Sequence, residues 1–307
     1  MRKAVRETLQ KHLSASTVPL PAEVPLSEVQ NHFPMETRNF SDFYCSLEHA
    51  INCTKLLRSD GAINQNWYTV PMVYNGHTSS LVVSGTPVHR SCGVFPVPGR
   101  DRDKLTFQPE MHMDFELEMG VFLSQPLEHG KRLDINDCRD NMFGFVLLND
   151  LSARQIQLFE MPPQGPFHSK GSGTSISRWI VTTEALEASS DETYDVELSV
   201  HIERNGESFK VCVSNLHELY WSAFQQLTHL SSAGKARTDD KGEKTGLGCL
   251  FERQLDGNRL ASAPADLHAT FLKDGDRVVL QGWCRHPVTK EVLFGFGKCE
   301  GQLLPAI

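Results

Sequence analysis

Short apolar runs bounded by Gly, Pro or Asn recur along most of the chain and constrain its fold more than any other feature. Their length and residue types predict β-strands at 79–88, 115–123, 143–150, 176–182, 195–207, 276–284 and 292–300. The segments "RNGE" and "KDGDR" are typical of tight turns between strands. Helical periodicity is confined to 1–14, 41–58, about 152–160 and 214–230. Because strands do not alternate with helices, the pattern disfavours a doubly wound sheet and predicts an α+β, β-rich fold.

The composition is that of an ordinary globular protein. Hydrophobic residues make up 39% of the 307 residues, enough for a sizeable core. We assign residues 1–35 to a helix followed by a Pro-rich extended segment, and 36–307 to one large domain in which the Lys-rich segment 233–246 forms a mobile loop. The net charge is -8 and no apolar run is long enough to span a bilayer. We therefore expect no nucleic-acid partner and no membrane partner.

The cysteines and the N-terminus bear on the cellular compartment. The eight cysteines are irregularly spaced without a C-x-x-C pair, which disfavours a zinc site, a redox dithiol and a disulfide framework. Reduced thiols indicate a cytoplasmic protein. The basic segment "MRKAVRETLQKHLSAS" lacks the apolar core of a secretory signal, and Glu7 disfavours a mitochondrial presequence. An ordinary surface helix is expected there.

The stretch "MHMDFELEMGVFL" (111–123) places three acids at alternate positions of a predicted strand. Asp114, Glu116 and Glu118 would share one face, about 7 Å apart. At an effective dielectric near 20, each neighbouring pair would repel by about 2 kcal/mol. If the face is solvated, screening hides most of this cost, whereas in a pocket a bound cation or shared protons must neutralise it.

Further polar residues surround the same part of the predicted fold. Asp150 ends the apolar run "FGFVLLND", where it is as well placed to cap the next helix as to take part in chemistry. Arg154 and Gln157 share a helix face and are donors that suit an oxyanion, although such a face is often only solvated. Asp42 and His49 are seven residues apart in the predicted helix 41–58, which puts them on one side of it.

Taken in order, several longer segments resemble the fumarylacetoacetate hydrolase family. They are "DFYCSLEHA", "YNGHTSSLVVSGTPV", "DFELEMGVF", "FGFVLLNDLSARQIQ", "GPFHSKGSGTSISRWIV", "LYWSAFQQLTH" and "FLKDGDRVVLQGWC…GFGKCEGQLLPA". The resemblance runs from about residue 36 to the C-terminus and implies a mixed β-sandwich roll and a homodimer. The extra N-terminal β domain of animal members is expected to be absent.

The resemblance also implies a metal site. The positions that match the family's carboxylate ligands are Asp42, Glu116, Glu118 and Asp150. Four carboxylates make six mutual repulsions, about 10 kcal/mol in sum if nothing neutralises them. All-oxygen ligands favour a hard ion, Mg²⁺ or Ca²⁺, with Mn²⁺ as a further possibility. A second ion or a monovalent site is implied near Asp150, Lys170 and Thr174.

The implied reaction is hydrolysis of a carbon–carbon bond in a 1,3-diketo acid, with fumarylacetoacetate giving fumarate and acetoacetate in the last step of tyrosine and phenylalanine breakdown. His49 matches the general base, and Glu252 matches the acid that orients it. The residues that match the oxyanion donors are Arg154, Gln157 and Lys170. The residues that match substrate contacts are Tyr44, Arg58, Gln157 and Thr238.

Three departures from the family pattern lie on the substrate side. His77 replaces an Arg, Met161 replaces a Tyr, and 233–246 is shortened and rewritten, so that Thr238 aligns only loosely. Two other functions therefore stay open. One is a related acylpyruvate hydrolase or β-keto acid decarboxylase. The other is a non-catalytic metal-binding relative.

Overall fold

The computed structural model describes residues 2–14, 24–57, 61–96, 104–127, 131–186, 194–231, 248–251 and 271–306. The chain forms two compact units, Met1–His32 and Phe33–Ile307. The first contains helix α1 (Arg2–Leu13) and a 3₁₀ turn at Leu26–Glu28. Within the described ranges, every helix is too short or too polar to cross a membrane.

The second unit is rich in strands. Its helices are α2 (Leu47–Leu57), α3 (Cys138–Asn141), α4 (Arg154–Gln164), α5 (Thr183–Leu186) and α6 (Ala223–Leu230). Its strands are β1 (Ser41–Phe43), β2 (Val73–Asn75), β3 (Leu81–Val83), β4 (Val88–His89), β5 (Cys92–Pro96), β6 (Leu105–Pro109), β7 (Met113–Asp114), β8 (Leu117–Leu123), β9 (Met142–Ala153), β10 (Gly173–Ile176), β11 (Val181–Thr182), β12 (Val196–Arg204), β13 (Glu207–Asn215), β14 (Arg277–Arg285) and β15 (Val292–Leu304). The predicted α+β, β-rich class is confirmed.

Strand β9 is the centre of the sheet that carries the polar residues of interest. It pairs with β7 and β8 and with β10 and β11, all antiparallel, and β3 extends the sheet beside β10. Its apolar run is buried almost throughout, as the continuous run predicted. The strand continues to Ala153, so Asp150 lies inside it and does not cap α4.

A second sheet packs against this strand. Its order is β13, β12, β14, β15 and β4, and the predicted turn "RNGE" joins β12 to β13. Asn205 and Gly206 there have φ values of 55° and 82°, which Asn and Gly tolerate best. Gly282 of β14 lies against Leu147 of β9, where an added Cβ would be 3.1 Å from the Leu147 side chain. A larger residue at 282 would push the two sheets apart.

Two helix predictions were wrong at their N-terminal ends. Residues Ser41–Phe43 pair as a strand with β2, and α2 begins after Ser46, whose hydroxyl accepts the N–H of His49 at 3.3 Å. Asp42 and His49 therefore do not share a helix. The predicted helix 214–230 is reduced to α6, which Ser222 caps together with Gln225, because its first part belongs to β13 and a 3₁₀ turn.

The predicted strand 176–182 is also divided. Its ends belong to β10 and β11, which both pair with β9, and Ser177 between them accepts the N–H of Leu147 at 3.0 Å. The predicted mobile loop 233–246 lies outside the described residues.

Candidate active site

Three carboxylates converge where β1, β8 and β9 meet. Asp42, Glu118 and Asp150 each offer an oxygen, and these oxygens lie within 4.8 Å of one another. Strand pairing explains the convergence, because β8 runs beside β9 with Glu118 opposite Leu148. Asp42 comes from the short β1–β2 ribbon, where the hydroxyl of Tyr74 donates a hydrogen bond to the Asp42 carboxylate. The structure thus brings together three of the four predicted metal ligands.

The fourth predicted ligand, Glu116, is joined to this cluster by a buried ammonium group. Lys170 pairs with Glu116 and lies 2.7 Å from Asp150 Oδ2. Only 4% of Lys170 is exposed. The other Asp150 oxygen accepts a hydrogen bond of 2.8 Å from the hydroxyl of Thr174, which lies opposite it in the β9–β10 register. Lys170 and Thr174 therefore meet Asp150, as the resemblance implied.

The carboxylates of the cluster differ in their affinity for protons. Burial and the neighbouring carboxylates Asp150 and Glu116 raise the pKa of Asp42 to about 7. Burial and the neighbouring acids also raise the pKa of Glu118 well above its ordinary value. The pKa of Glu116 is lowered, because Lys170 and Arg154 outweigh the effect of its burial. Burial and like charge therefore favour the protonated forms of Asp42 and Glu118 when no metal ion is bound.

A hard divalent ion fits this donor set. The converging groups are carboxylate oxygens, which Mg²⁺ and Ca²⁺ prefer, and a cation there would offset the burial and the mutual repulsion that raise the pKa of Asp42 and Glu118. The carboxylate cluster could thus hold a metal ion.

Arg154 neutralises part of the negative charge of the acids at 114–118. Its Nε lies 2.8 Å from Asp114 Oδ2, and its Nη1 lies 2.8 Å from Glu116 Oε1 and 2.9 Å from Gln157 Oε1. Asp114 also accepts the N–H groups of Leu250 and Phe251 at 2.7 and 2.9 Å. The row is broken between β7 and β8, so Asp114 serves the fold while Glu118 joins the cluster. Arg154 and Lys170 thus neutralise part of this row of acids, which the alternation of residues in the predicted strand did not indicate.

One guanidinium nitrogen of Arg154 takes no part in these hydrogen bonds. Within the described part of the chain, its Nη2 is buried and has no hydrogen-bond partner. A buried guanidinium N–H without an acceptor costs free energy, which a bound anionic oxygen would recover. This atom supports the prediction that Arg154 holds an oxyanion.

His49 lies on α2, close to the cluster but outside the carboxylate group. The ring of Tyr44 meets the His49 ring edge-to-face, with centroids 5.3 Å apart, so these two predicted site residues are neighbours. Cys53 Sγ lies 3.6 Å from His49 Nε2, and Cys249 Sγ lies 3.8 Å from His49 Nδ1. The sequence analysis placed neither thiol in the site, because Cys53 and Cys249 are far apart in the chain.

Three predicted site residues fall outside the described residues. They are Arg58, Thr238 and Glu252. Their roles therefore stay predictions.

The residues that depart from the family pattern lie near the Lys170 loop. The His77 ring meets the Phe167 ring edge-to-face at 5.1 Å, and a Cβ added to Gly171 would lie 3.3 Å from His77. Met161 lies on α4. Sequence reasoning also missed Glu160 of the same helix, whose carboxylate accepts the N–H groups of Phe167 and the two residues that follow it. Only its spacing before "GPFHSK" could have indicated that role.

Comparison with known proteins identifies the family. Residues 38–303 match the family described as fumarylacetoacetate (FAA) hydrolase C-terminal. Fumarylacetoacetase of Oryza sativa subsp. japonica is 36% identical, over 99% of this chain and 79% of that protein. The Rattus norvegicus fumarylacetoacetase is 32% identical, over 99% of this chain and 81% of that protein. The family model and these relatives define the chain as a hydrolase. The chain belongs to the fumarylacetoacetate hydrolase family.

Solved structures support the same fold. A maleylpyruvate hydrolase from Sphingobium superposes with a TM-score of 0.54 at 15% identity, covering 99% of this chain and 83% of that one. A fumarylacetoacetate hydrolase from Exiguobacterium antarcticum gives a TM-score of 0.51 at 18% identity, covering 87% of this chain and 75% of that one. The predicted fold type is confirmed.

Proposed function

We propose that this hydrolase cleaves a carbon–carbon bond in a 1,3-diketo acid, and that fumarylacetoacetate is its substrate. The relatives named fumarylacetoacetase support the substrate. The observation that carries the reaction type is the buried Nη2 of Arg154, which has no hydrogen-bond partner among the described residues, beside a carboxylate cluster and His49. The products would be fumarate and acetoacetate, as at the end of tyrosine and phenylalanine breakdown.

The residues that would hold a divalent ion are Asp42, Glu116, Glu118 and Asp150. When bound, Mg²⁺ or Ca²⁺ supplies Lewis-acid stabilisation of the enolate that leaves as the bond breaks. Lys170 and Thr174 hold Asp150 in place through its two oxygens. They fix the direction in which this ligand presents its lone pairs.

The protein's own side chains supply the proton transfers and the oxyanion contacts. His49 takes a proton from the attacking water, and Glu252 orients the ring of His49. Arg154 Nη2, Gln157 and Lys170 surround the negative oxygen that forms when water adds to the carbonyl. The departing carbon needs a proton, and protonated His49 carries one. Tyr44, Arg58 and Thr238 bind the rest of the substrate.

A turnover assay tests the proposal. Purified protein with Mg²⁺ or Ca²⁺ is incubated with fumarylacetoacetate and with acylpyruvates, and loss of the diketo absorbance is followed. We expect turnover of fumarylacetoacetate, its loss in His49→Ala, and its retention in His89→Ala, a histidine on the exposed end of β4. Metal binding should persist in His49→Ala. No turnover of any diketo acid would overturn the proposal and favour a non-catalytic metal-binding protein.

A second candidate is an acylpyruvate hydrolase. His77, which stands where the family usually has an Arg, lies against Phe167 and Gly171 beside Lys170, so the substrate side of the pocket differs from the family pattern. Turnover of acylpyruvates alone would favour this candidate. Release of carbon dioxide without consumption of water would instead indicate a β-keto acid decarboxylase.

A homodimer and a cytoplasmic location are also part of the proposal. The family resemblance supports the dimer, and the irregular cysteine spacing, which disfavours a disulfide framework, agrees with a reducing compartment. Light scattering of the purified protein would measure its mass, and a mass near that of one chain would contradict the dimer.

A further inference from the structure

We propose that His49, Cys53 and Cys249 form a second metal site, which takes a soft divalent ion such as Zn²⁺, and that occupation of this site blocks His49 as a base. The binding part of this inference goes beyond the proposed function and does not depend on it. The blocking part rests on the proposed role of His49.

The three side chains form a tripod of donor atoms. Cys53 Sγ lies 3.7 Å and Cys249 Sγ 3.8 Å from His49 Nδ1, and one ligand atom from each of the three residues lies within 4.8 Å of the others. With Zn–S of about 2.3 Å and Zn–N of about 2.0 Å, a tetrahedral zinc ion holds its sulfur and nitrogen ligands about 3.5 Å apart. Because Cys53 Sγ is also 3.6 Å from His49 Nε2, it lies over the face of the ring, and the imidazole must turn about its side-chain bonds to direct a lone pair at an ion held by the two sulfurs.

Two anchored segments supply the ligands. His49 and Cys53 are one helical turn apart on α2, so their side chains share a face. Cys249 comes from the segment 248–251, which is fixed from outside the tripod. In this segment, the N–H groups of Leu250 and Phe251 donate hydrogen bonds to the Asp114 carboxylate, and the carbonyl oxygen of Gly248 accepts the N–H of Leu117 at 3.0 Å. The two segments that carry the ligands are thus anchored independently of any ion.

The donor types separate this site from the carboxylate cluster. Thiolate and imidazole ligands select Zn²⁺ or related soft ions, whereas carboxylates select Mg²⁺ and Ca²⁺. Two cysteines and one histidine leave the fourth tetrahedral position for water, as in catalytic zinc sites. Both cysteines are buried, with exposures of 5% and 0%, which limits competing oxidation of the thiols.

Ligation would compete directly with the proposed base function. A metal bound at Nδ1 or Nε2 uses the lone pair with which that nitrogen would accept a proton. Zn²⁺ should therefore reduce turnover in proportion to its occupancy even when Mg²⁺ saturates the carboxylates. Since the thiols must lose their protons on binding, zinc affinity should rise with pH.

Cobalt absorption tests the binding. Co²⁺ is titrated into the full-length protein in excess Mg²⁺, and we expect a thiolate-to-cobalt charge-transfer band that saturates at one equivalent and disappears when Zn²⁺ is added. Cys53→Ser and Cys249→Ser should each lose the band, whereas Cys92→Ser, which removes a thiol on β5, should keep it. A band that survives both serine variants, or no band in the unmutated protein, would overturn the proposal.

Two further measurements make the test independent of variant folding and of activity. Zinc-edge X-ray absorption of the unmutated protein should show two sulfur ligands and at least one nitrogen ligand, and an all-oxygen shell would refute the site. In the diketo acid assay, Zn²⁺ should inhibit the unmutated protein, and a nitrogen-donor chelator that leaves Mg²⁺ bound should restore it. Inhibition of equal strength in Cys53→Ser would refute the blocking of His49. If no diketo acid is turned over, the cobalt band still decides the binding.

Discussion

Lys170 Nζ lies 2.7 Å from Asp150 Oδ2 and pairs at the same time with Glu116, so one buried ammonium joins two predicted metal ligands. Burial would lower the pKa of Lys170, but Asp150 and Glu116 outweigh it and raise that pKa well above its ordinary value. In the metal-free protein, Lys170 is thus a permanent cation in an acidic cluster.

Lys170→Met should destabilise the metal-free protein by about 3–5 kcal/mol, since it leaves buried carboxylates without their partner. Saturating Mg²⁺ or Ca²⁺ should recover much of the loss by neutralising the same acids. Denaturant unfolding with and without the ion measures both effects. The control Lys210→Met, at an exposed position of β13, should change little. A loss that the ion does not reduce would contradict a cationic role for Lys170.

Glu160→Gln should reduce kcat/KM by about tenfold, which corresponds to about 1.4 kcal/mol. The Glu160 carboxylate accepts the N–H groups of Phe167, His168 and Ser169 at 2.7–2.9 Å and thereby positions the turn that carries Lys170. Metal affinity should stay near that of the unmutated protein. Steady-state kinetics and a metal titration check this pair of outcomes, with the exposed Glu291→Gln as the control. Full activity in Glu160→Gln would show that the turn keeps its shape without the charge.

Glu116→Gln and Glu118→Gln should each weaken Mg²⁺ or Ca²⁺ binding by at least about tenfold, because each removes a negative charge from the site. Asp114→Asn makes the same kind of change a few residues earlier. It should lower stability instead, by about 3–5 kcal/mol, because Asp114 pairs with buried Arg154 and holds the N–H groups of Leu250 and Phe251. Isothermal titration and unfolding of the three variants separate the two roles. Unchanged metal affinity in Glu116→Gln would remove it from the ligand set.

The metal-free protein should lose stability as the pH rises from about 4 to 7, through the raised pKa of Asp42. Between its ordinary value of 3.8 and about 7, the folded protein keeps a proton that the unfolded chain has released. The free energy of unfolding therefore falls with pH, by at most about 1.4 kcal/mol per pH unit for this group. Divalent ions should bind more tightly over the same range, since they require the ionised carboxylate.

Comparison with Asp42→Asn isolates this group from the others that titrate. In the absence of metal, the free energy of unfolding of the unmutated protein should fall relative to that of Asp42→Asn as the pH rises, when both are followed by urea unfolding at several pH values. A difference that does not vary with pH would show that folding does not raise the pKa of Asp42.

Local pattern was sufficient for much of the fold, whereas the carboxylate group of the site was indicated by the family resemblance. The apolar runs specified the strands because side-chain burial follows a period of two, and the Asn205–Gly206 turn followed from residues that tolerate positive φ. The resemblance indicated Asp42, Glu118 and Asp150 as one group, and the structure brings them within 4.8 Å of one another. The same local reasoning put Asp42 on a helix, because no short-range signal reports that Ser41–Phe43 pairs with Val73–Asn75.

Long-range packing decided which charges and ligands meet. Arg154 pairs with Asp114 and Glu116, and Lys170 pairs with Glu116, so that a structural acid is separated from the predicted metal ligands; that separation depends on strand pairing across β9. The tripod of His49, Cys53 and Cys249 likewise exists only because Asp114 holds the segment 248–251 against α2. The amino-acid order supplied the kinds of donor, whereas distances between them were set by contacts between residues far apart in the chain, which no periodicity encodes.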